Sequence, residues 1–562
     1  MAVTIAIIFS HIFTSEPYLI QIEIKLYHFL LPSYQVANYL KGNSLVLAIN
    51  CAAGLSIFFF GYDQGVMSGV NISPNYKDLM GLWDNEALLG GIVAVYYAGT
   101  LIGALMGGYV GDKIGRIKCV VVGCIFALIG AALQTCAQNV PWMICSRIIT
   151  GIGTGHLNAI VPVWSAETSH HTSRGMFIAM EFTLNIFGVV IAYWIAFGLN
   201  TIEGGFRWRF PIGFQMVPLL ILCVLINIFP ESPRWLVKKG RTEEALQILG
   251  ALRGNGDVTH PDVVREYEEI KDTLIVEEKQ GGEPNYWDML FKYDESNIPR
   301  RVHLSIWLQI IQELTGIGVI TVYAPETFAQ SGFSERTSQL LSGCNNISYM
   351  ISTLMAVFTL DRWGRRFSLF YGAIGQGIAL ILVAVLTKPD IMAQNPTGYG
   401  IGSAVFIFVY TAFFGMTWLT VPWLYPVEIY PLRVRARGGA WSVVGWSIGN
   451  AVVMEITPPM LAGIGWATFI LFAGLNFLAI PIVWALYPET MNKTLEELDV
   501  IFSTRSLLVW NAENELRDKG IDPNDPLANM PKIENGTTTQ DVITDTEPSS
   551  ISSGENKVEK VV

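Results

Sequence analysis

Apolar stretches recur along the chain, separated by short segments rich in charge, glycine or proline. A helix needs roughly 20 apolar residues to cross the hydrocarbon core of a bilayer. The pattern predicts such helices near 46–69, 88–110, 118–138, 142–165, 176–199 and 210–229. A second set is predicted near 302–325, 338–360, 367–387, 399–424, 439–463 and 466–486. The expected fold is an all-α polytopic membrane protein, its twelve helices forming two six-helix bundles over 46–230 and 301–487. Residues 231–300 are polar, yet "TEEALQILGALR" and "VVREYEEIKDTLIVEEK" keep helical periodicity with charged faces, which predicts short exposed helices linking the bundles. Residues 1–45 form an N-terminal segment that lacks the basic start and small-residue cleavage site of a signal peptide. Residues 488–562 form a tail that turns acidic and Ser/Thr-rich after Phe502 and is expected to be largely disordered.

Composition sharpens this picture. The 562 residues are 51% hydrophobic and 15% charged, which excludes a string of soluble domains. With 36 basic against 47 acidic residues the net charge is -11, the wrong sign for a nucleic-acid partner. The seven cysteines contain no C-x-x-C pair, so neither a disulfide framework nor a metal site is expected, and no cofactor. Glycine-rich "TGIGTG" falls inside a predicted helix, where glycines serve close packing. With no nucleophile elbow or phosphate loop either, no catalytic residue is assigned and the chain is not expected to be an enzyme.

Lys and Arg in the short loops are unequally shared. Lys113, Arg116, Lys118, Arg174, Arg362, Arg365, Arg366, Arg433, Arg435 and Arg437 fall on one side, and Lys77, Arg207, Arg209, Arg336 and Lys388 on the other. The richer side is expected to be cytoplasmic, together with both termini and the 231–300 insertion. Asn71-Ile72-Ser73 then lies outside as a candidate glycosylation site, with Pro74 counting against it.

The two sets of helices repeat each other. "GDKIGRIK" follows the second helix and "LDRWGRRF" the eighth; Glu167 precedes Arg174 by seven residues as Glu428 precedes Arg435; "PESPRWL" closes the sixth helix as "PETMNKTLEEL" closes the twelfth. Duplicated bundles are a transporter signature. These motifs resemble those of the sugar porter family of the major facilitator superfamily, in its fungal form, over about 45–500. D-x-x-G-R-R is met by Asp361, Gly364, Arg365 and Arg366, and nearly by Asp112, Gly115 and Arg116, where Ile117 replaces the second Arg. P-E-S-P-R is intact at Pro230 to Arg234, while P-E-T-K-G becomes Pro488-Glu489-Thr490-Met491-Asn492.

Charged groups at the cytoplasmic helix ends can form bidentate pairs that hold the bundles together on that side. The resemblance implies that Asp112, Arg116, Glu167, Arg174, Asp361, Arg365, Glu428 and Arg435 form this gate and stabilise the outward-facing state. The alternative is that they are ordinary interface anchors. Deeper in the first helix, Asp63 of "FFFGYDQGVMSG" is costly at about 2.5–3.5 kcal/mol unless paired or protonated. Arg147 of "CSRIITGIGTG" is its natural partner, and the resemblance implies that the two form a proton site. A static ion pair is the alternative, and some facilitative relatives also carry this Asp. His156 is read as a packing histidine.

A neutral polyhydroxy compound is recognised by amides and carboxylates at its hydroxyls and by aromatic faces over its C–H surfaces. "QIIQELTGIGVITVYAPETF" resembles the family's Q-Q-x-x-G-x-N segment: Gln312 matches the first Gln, Glu313 stands for the second and Gly318 for the Asn. Phe182 replaces a sugar-binding Gln, leaving Glu181 and Asn185 nearby; Trp423 and Asn450 match family positions, and Glu455 replaces a Trp. The resemblance thus implies Gln312, Glu313, Trp423, Asn450, Glu455 and Asn185 as substrate contacts, in a cavity unlike a plain glucose site. Glu313 and Glu455 accept hydroxyls, move protons, or merely pack. Trp418, Trp441 and Trp446 are read as packing or interface aromatics. The expected function is secondary active transport of a sugar or polyol by alternating access with a proton, in the plasma membrane, with the lipid bilayer as its surroundings and oligomeric state open. A facilitative uniporter and a non-transporting nutrient sensor are the alternatives.

Overall fold

The computed structural model describes residues 39–518 except 84, 170–173, 280–283, 294–295, 432–433, 492, 494 and 505. Side chains at 174–179, 273, 276–279, 357, 361, 436 and 495–496 are also outside the description. The expectations for residues 1–38 and 519–562 therefore lie outside the described residues.

Each predicted span falls on a helix or a broken helix. The first half holds α1 (Asn43–Val70), α2 (Glu86–Ile114), α3 (Arg116–Thr135), α4 (Val140–Thr168), α5 (Arg174–Gly198) and α6 (Phe206–Phe214 continuing as Met216–Leu225). The second holds α7 (Ile298–Leu314, Ile317–Thr321 and Ala324–Gln330), α8 (Glu335–Trp363), α9 (Arg365–Thr387), α10 (Pro396–Met416 and Val421–Ile429), α11 (Arg435–Gly463) and α12 (Ala467–Leu486). Among the described residues, α1, α2, α3, α5, α6, α9, α10 and α12 are long and apolar enough to cross a membrane on composition alone. The remainder are the polar ones. α4 buries Arg147, His156 and Asn158, α7 is broken, α8 buries Asn345 and Asn346, and α11 buries Ser442, Ser447 and Asn450. Their polar groups face the protein interior, while exposed apolar residues such as Leu220, Val224 and Phe358 suit a lipid surface.

In the first half α1 packs on α5 and α4 on both α2 and α3; in the second α9 packs on α10 and α12, and α8 on α10. The halves meet along α2 with α11 and α5 with α8. Helices Pro233–Lys238, Thr242–Arg253, Pro261–Lys279 and Tyr286–Phe291 cover one face, called the linker face below. They are tied to it by Trp235 Nε1 donating to the Asp112 carbonyl at 3.0 Å and by Arg253 Nη2 donating to that of Ser169 at 3.0 Å.

Beyond α12 the chain departs from the expected disorder as far as residue 518. Helices Leu495–Ser503 and Val509–Asp518 bury Leu498, Phe502, Val509, Ala512 and Leu516. Asp499 pairs with Arg301 at 2.8 Å, and Trp510 lies tilted against Trp484 with ring centroids 4.7 Å apart. The apolar residues, few in composition, are spaced to one helical face. Asn71 is also corrected: it and Ser73 are almost wholly buried, so the amide is inaccessible to a glycosylating enzyme.

The repeated motifs are helix junctions. α2 turns into α3 at Gly115 (φ 99°) and α8 into α9 at Gly364 (φ 83°), a backbone region that L side chains avoid. Glu231 accepts from the backbone N–H of Arg116 (2.9 Å) and Ile117 (3.2 Å), and Glu489 from that of Arg365 (2.9 Å) and Arg366 (3.0 Å). Each carboxylate caps the positive end of the next helix, and each glycine lets it approach, since a Cβ would lie 2.5 Å from Glu231 Oε2 or 2.8 Å from Glu489 Oε2. Gly364→Ala is expected to destabilise by at least about 1–2 kcal/mol through the left-handed backbone alone, whereas Gly439→Ala, where a Cβ meets nothing, is neutral or stabilising. Thermal unfolding of the purified variants in detergent checks both.

Candidate functional site

Two broken helices build the site. α7 breaks at Thr315-Gly316 (φ 99°), and the freed Thr315 carbonyl is taken by Tyr410 Oη at 3.1 Å and Asn476 Nδ2 at 2.8 Å. α10 breaks between Met416 and Val421, where the carbonyls of Trp418 and Leu419 accept from Gln312 Nε2 at 2.8 and 3.2 Å. Non-helical backbone at membrane depth persists only when its polar groups are satisfied in this way.

Between the halves lies a cavity. Five of the six expected contacts, Gln312, Glu313, Trp423, Asn450 and Asn185, line it. Gln312 spends its amide nitrogen on the α10 break, while its Oε1 has no hydrogen-bond partner among the described residues. Glu313 is 4% exposed, and its carboxylate faces Asn450 and the Trp446 indole. Asn450 donates to the Trp446 carbonyl at 3.1 Å, and Asn185 to that of Ile57 at 3.4 Å.

Glu455 departs from the expectation. Its side chain is exposed and turned toward α2, where its Oε2 would lie 3.4 Å from a Cβ at Gly91; on α11 the neighbouring Met454 faces the cavity instead. One residue along a helix rotates the side chain by about 100°. Met454 also explains Gly318, because a Cβ there would sit 2.5 Å from Met454 Cε, so the methionine fills the space of the missing amide.

Several lining residues were not anticipated: Phe60, Gln64, Thr321, Tyr349 and Trp446. Trp446 was read as packing, but it joins Phe60 (5.1 Å), Tyr97 (5.3 Å) and Trp423 (6.0 Å) in an aromatic cluster across the two halves. Its i−4 spacing to Asn450 was the available signal. Trp418 and Trp441 do pack, the first donating to the Leu369 carbonyl and the second lying against Tyr286 of the linker. His156 is likewise a packing residue, stacked on Phe126.

Asp63 is 1% and Arg147 of α4 2% exposed, and on α1 Asp63 lies one turn from the cavity-lining Phe60 and next to the cavity-lining Gln64. The expected direct pair is not closed in this conformation. Neither Asp63 oxygen has a hydrogen-bond partner among the described residues, nor do Arg147 Nε and Nη1. Arg147 instead lies over the Tyr96 ring, 4.9 Å from its centroid. Tyr96 thus stands beside both charged groups.

On the linker face the charged clusters are tied chiefly within each half. Arg116 binds Glu167 through Nε (3.0 Å) and Nη2 (3.1 Å) and Asp112 through Nη1 (3.0 Å). Arg365 binds Glu428 through Nη2 at 2.7 Å, and Glu428 accepts a second bond from Thr490 Oγ1 at 2.6 Å. Arg435 donates to the Tyr430 carbonyl in its own half. The expected side chains of Arg174 and Asp361 lie outside the described residues. An ion pair that does cross between the halves comes from Arg437, whose Nε lies 3.6 Å from Asp112 Oδ2. The same guanidinium donates to the Pro284 carbonyl of the linker at 2.6 Å. Arg437 was counted among the topology charges only, because no repeat motif contains it.

A family profile described as "Sugar (and other) transporter" matches residues 48–502. The chain is 34% identical over 474 residues to the MFS-type transporter oryC of Aspergillus oryzae, spanning 84% of this chain and 88% of that protein. It is 33% identical over 479 residues to the Sugar transporter STL1 of Saccharomyces cerevisiae, spanning 83% and 82%. Among solved structures it resembles the proton:xylose symporter XylE bound to 6-bromo-6-deoxy-D-glucose, with a TM-score of 0.70 at 26% identity over 82% of this chain and 100% of that one. These relatives are transporters, not enzymes. With the profile running from α1 to the helix after α12, the chain belongs to the sugar transporter family of the major facilitator superfamily and is a multi-pass membrane protein of that fold.

Proposed function

We propose that the protein carries a neutral sugar or polyol across the plasma membrane by alternating access, coupled to a proton at Asp63, with the linker face and both termini in the cytoplasm. The carrying observation is the cavity between the halves. It combines aromatic faces (Phe60, Phe182, Trp423, Trp446) with an amide and carboxylate set (Gln312, Glu313, Asn450, Asn185), and none of its described lining residues is cationic. That recipe suits hydroxyls and C–H faces and disfavours anionic sugar acids. Asp63 supplies a buried carboxylate adjacent to it, and the related XylE is named a proton:xylose symporter. The Lys and Arg bias of the short loops supports the orientation. Asp112, Arg116, Glu167, Arg174, Asp361, Arg365, Glu428 and Arg435 serve as the inner gate in this reading, joined by Arg437.

Cells lacking their own sugar porters and expressing the protein are supplied in turn with labelled hexoses, pentoses, disaccharides, glycerol and other polyols. Saturable uptake of one group supports the reading, and uptake of none refutes it. Asn450→Leu and Glu313→Gln are each expected to raise the half-saturation concentration of the accepted compound about tenfold, since one well-placed hydrogen bond is worth about 1.4 kcal/mol. Surface expression is measured alongside.

A further inference from the structure

Glu181 of α5 is 4% exposed and faces the linker-side part of the space between the halves. The wall there is almost wholly apolar, with Ile57, Phe182, Val427 and Val443 among its residues. Among the described residues the hydrogen-bond partner of Glu181 is Ser165 of α4, at 2.9 Å, and no ion pair joins it. A charged carboxylate without a cation is costly in such surroundings.

The available hydrogens fix its form. Ser165 Oγ lies 2.9 Å from Glu181 Oε1 and also 2.9 Å from Oδ1 of Asn50 on α1. A hydroxyl carries one hydrogen and donates to one of them only. Asn50 cannot turn to supply the missing hydrogen. Its Nδ2 donates to the Val46 carbonyl at 2.7 Å and to Ser169 Oγ at 3.3 Å, and the reversed amide would set its oxygen against that carbonyl. The contacts close only when Glu181 carries a proton: its O–H donates to Ser165 Oγ, Ser165 donates to Asn50, and Asn50 donates to Val46 and Ser169. A protonated Glu181 thus ties α5 to α4 and α1. The neighbouring charges are engaged elsewhere. Glu167 of α4 is held by Arg116, and Asp63 lies about 20 Å along α1 from Asn50. Arg253 of the linker donates to the Thr168 and Ser169 carbonyls and pairs with Glu266. Across the space Arg435 donates to the Tyr430 carbonyl. Tyr349 of α8 lines the first cavity, while Glu335 of α8 and Arg207 of α6 sit at the far end beside Gln339 and Asn200.

We propose that Glu181 is a proton-binding residue separate from Asp63, which holds its proton while the linker side is closed and gives it up to that side when the halves part and water enters. This second proton site rests on the alternating access proposed above. The closed form binds the proton and the open form releases it, so a falling pH on the linker side favours closure and a rising pH favours opening. The proton is taken from and returned to the same side. It therefore sets how readily that face opens and adds nothing to the accumulation that Asp63 drives.

The test uses the purified full-length protein carrying Ser442→Cys, on the linker-side wall, in a background lacking the reactive native thiols. Its labelling by a maleimide is followed from about pH 5 to about pH 8, which spans the usual and the displaced ranges of a carboxyl group. Glu181→Gln in the same background gives Ser165 an N–H and cannot ionise, so it stands for the protonated form. The ratio of the two rates cancels the titration of the thiol and of Asp63. It is expected to be near one at the acid end and to climb at least about threefold by the alkaline end, no more steeply than about tenfold per unit, the limit for one proton. A ratio that stays flat overturns the proton site and leaves the transport reading intact. No labelling of either protein at any pH means that the linker face does not open, and both readings fall. Glu181→Gln is also expected to unfold within about 3 °C of its parent at the acid end; unfolding far below it means that the native residue is charged at rest, which overturns the site. Ser165→Ala keeps Glu181 and removes its acceptor. It is expected to label faster than the parent at the acid end, and an unchanged rate there overturns the proposed tie.

Discussion

Asp63→Asn is expected to abolish uphill accumulation and to leave passive equilibration of the same compound in place. The carboxylate is buried beside the cavity with neither oxygen partnered, and Arg147 lies over Tyr96 rather than on it. A proton on Asp63 removes the reason for Arg147 to approach, and its loss restores the attraction, so the two protonation states favour different packings of α1 against α4. One proton moving down about 100 mV releases roughly 2.3 kcal/mol, enough for roughly fifty-fold accumulation of a neutral solute. An amide of the same shape has no charge to exchange, so the steady-state ratio of labelled compound should fall to about one. Counterflow, which needs no proton, should persist. Accumulation that survives in the variant would place the coupling group elsewhere, with Glu313 the next buried carboxylate on the cavity wall.

The second large effect separates stability from gating. Arg116 is buried and binds both Asp112 and Glu167, so Arg116→Ala removes the closest cationic partner of two carboxylates beside Glu231. Removing one partner of a buried pair costs about 3–5 kcal/mol. The variant is expected to unfold at a markedly lower temperature in detergent and to reach the membrane poorly. Arg437 is different in kind: its contact with Asp112 joins the halves rather than bracing one of them. Arg437→Gln should leave the unfolding temperature nearly unchanged and bias the protein toward opening on the linker face. Faster labelling of a cysteine placed at Ser442, in a background lacking the reactive native thiols, would read that bias. If Arg437→Gln instead unfolds the protein and leaves labelling unchanged, the crossing contact is a brace and not a latch.

The spans were legible because lipid imposes a length and a composition that no soluble helix must meet. The breaks in α7 and α10 were not, since a break shows only in what satisfies it: Tyr410, Asn476 and Gln312 are remote in sequence from the carbonyls they serve. The motif carboxylates Glu231 and Glu489 stood out by repetition, yet their capping of α3 and α9 needed the fold, because each sits more than a hundred residues from its partner. Glu455 and Trp446 exchanged roles for a simpler reason. Type and alignment named the helix correctly, but the face was decided by how α11 rotates against α2. Gln312 shows a further limit: a polar residue on a cavity wall also holds the scaffold, and only one of its two amide atoms remains for a ligand.

The central claim is that a proton gradient drives a neutral polyhydroxy compound through this cavity by way of Asp63. Purified protein in liposomes, given an imposed inward pH gradient and each labelled compound in turn, tests it without other carriers present. The account predicts transient accumulation of one compound above its external concentration, abolished by a protonophore and absent in Asp63→Asn. Entry of that compound only to equilibrium in the wild type, at the same rate with and without the gradient, would contradict it.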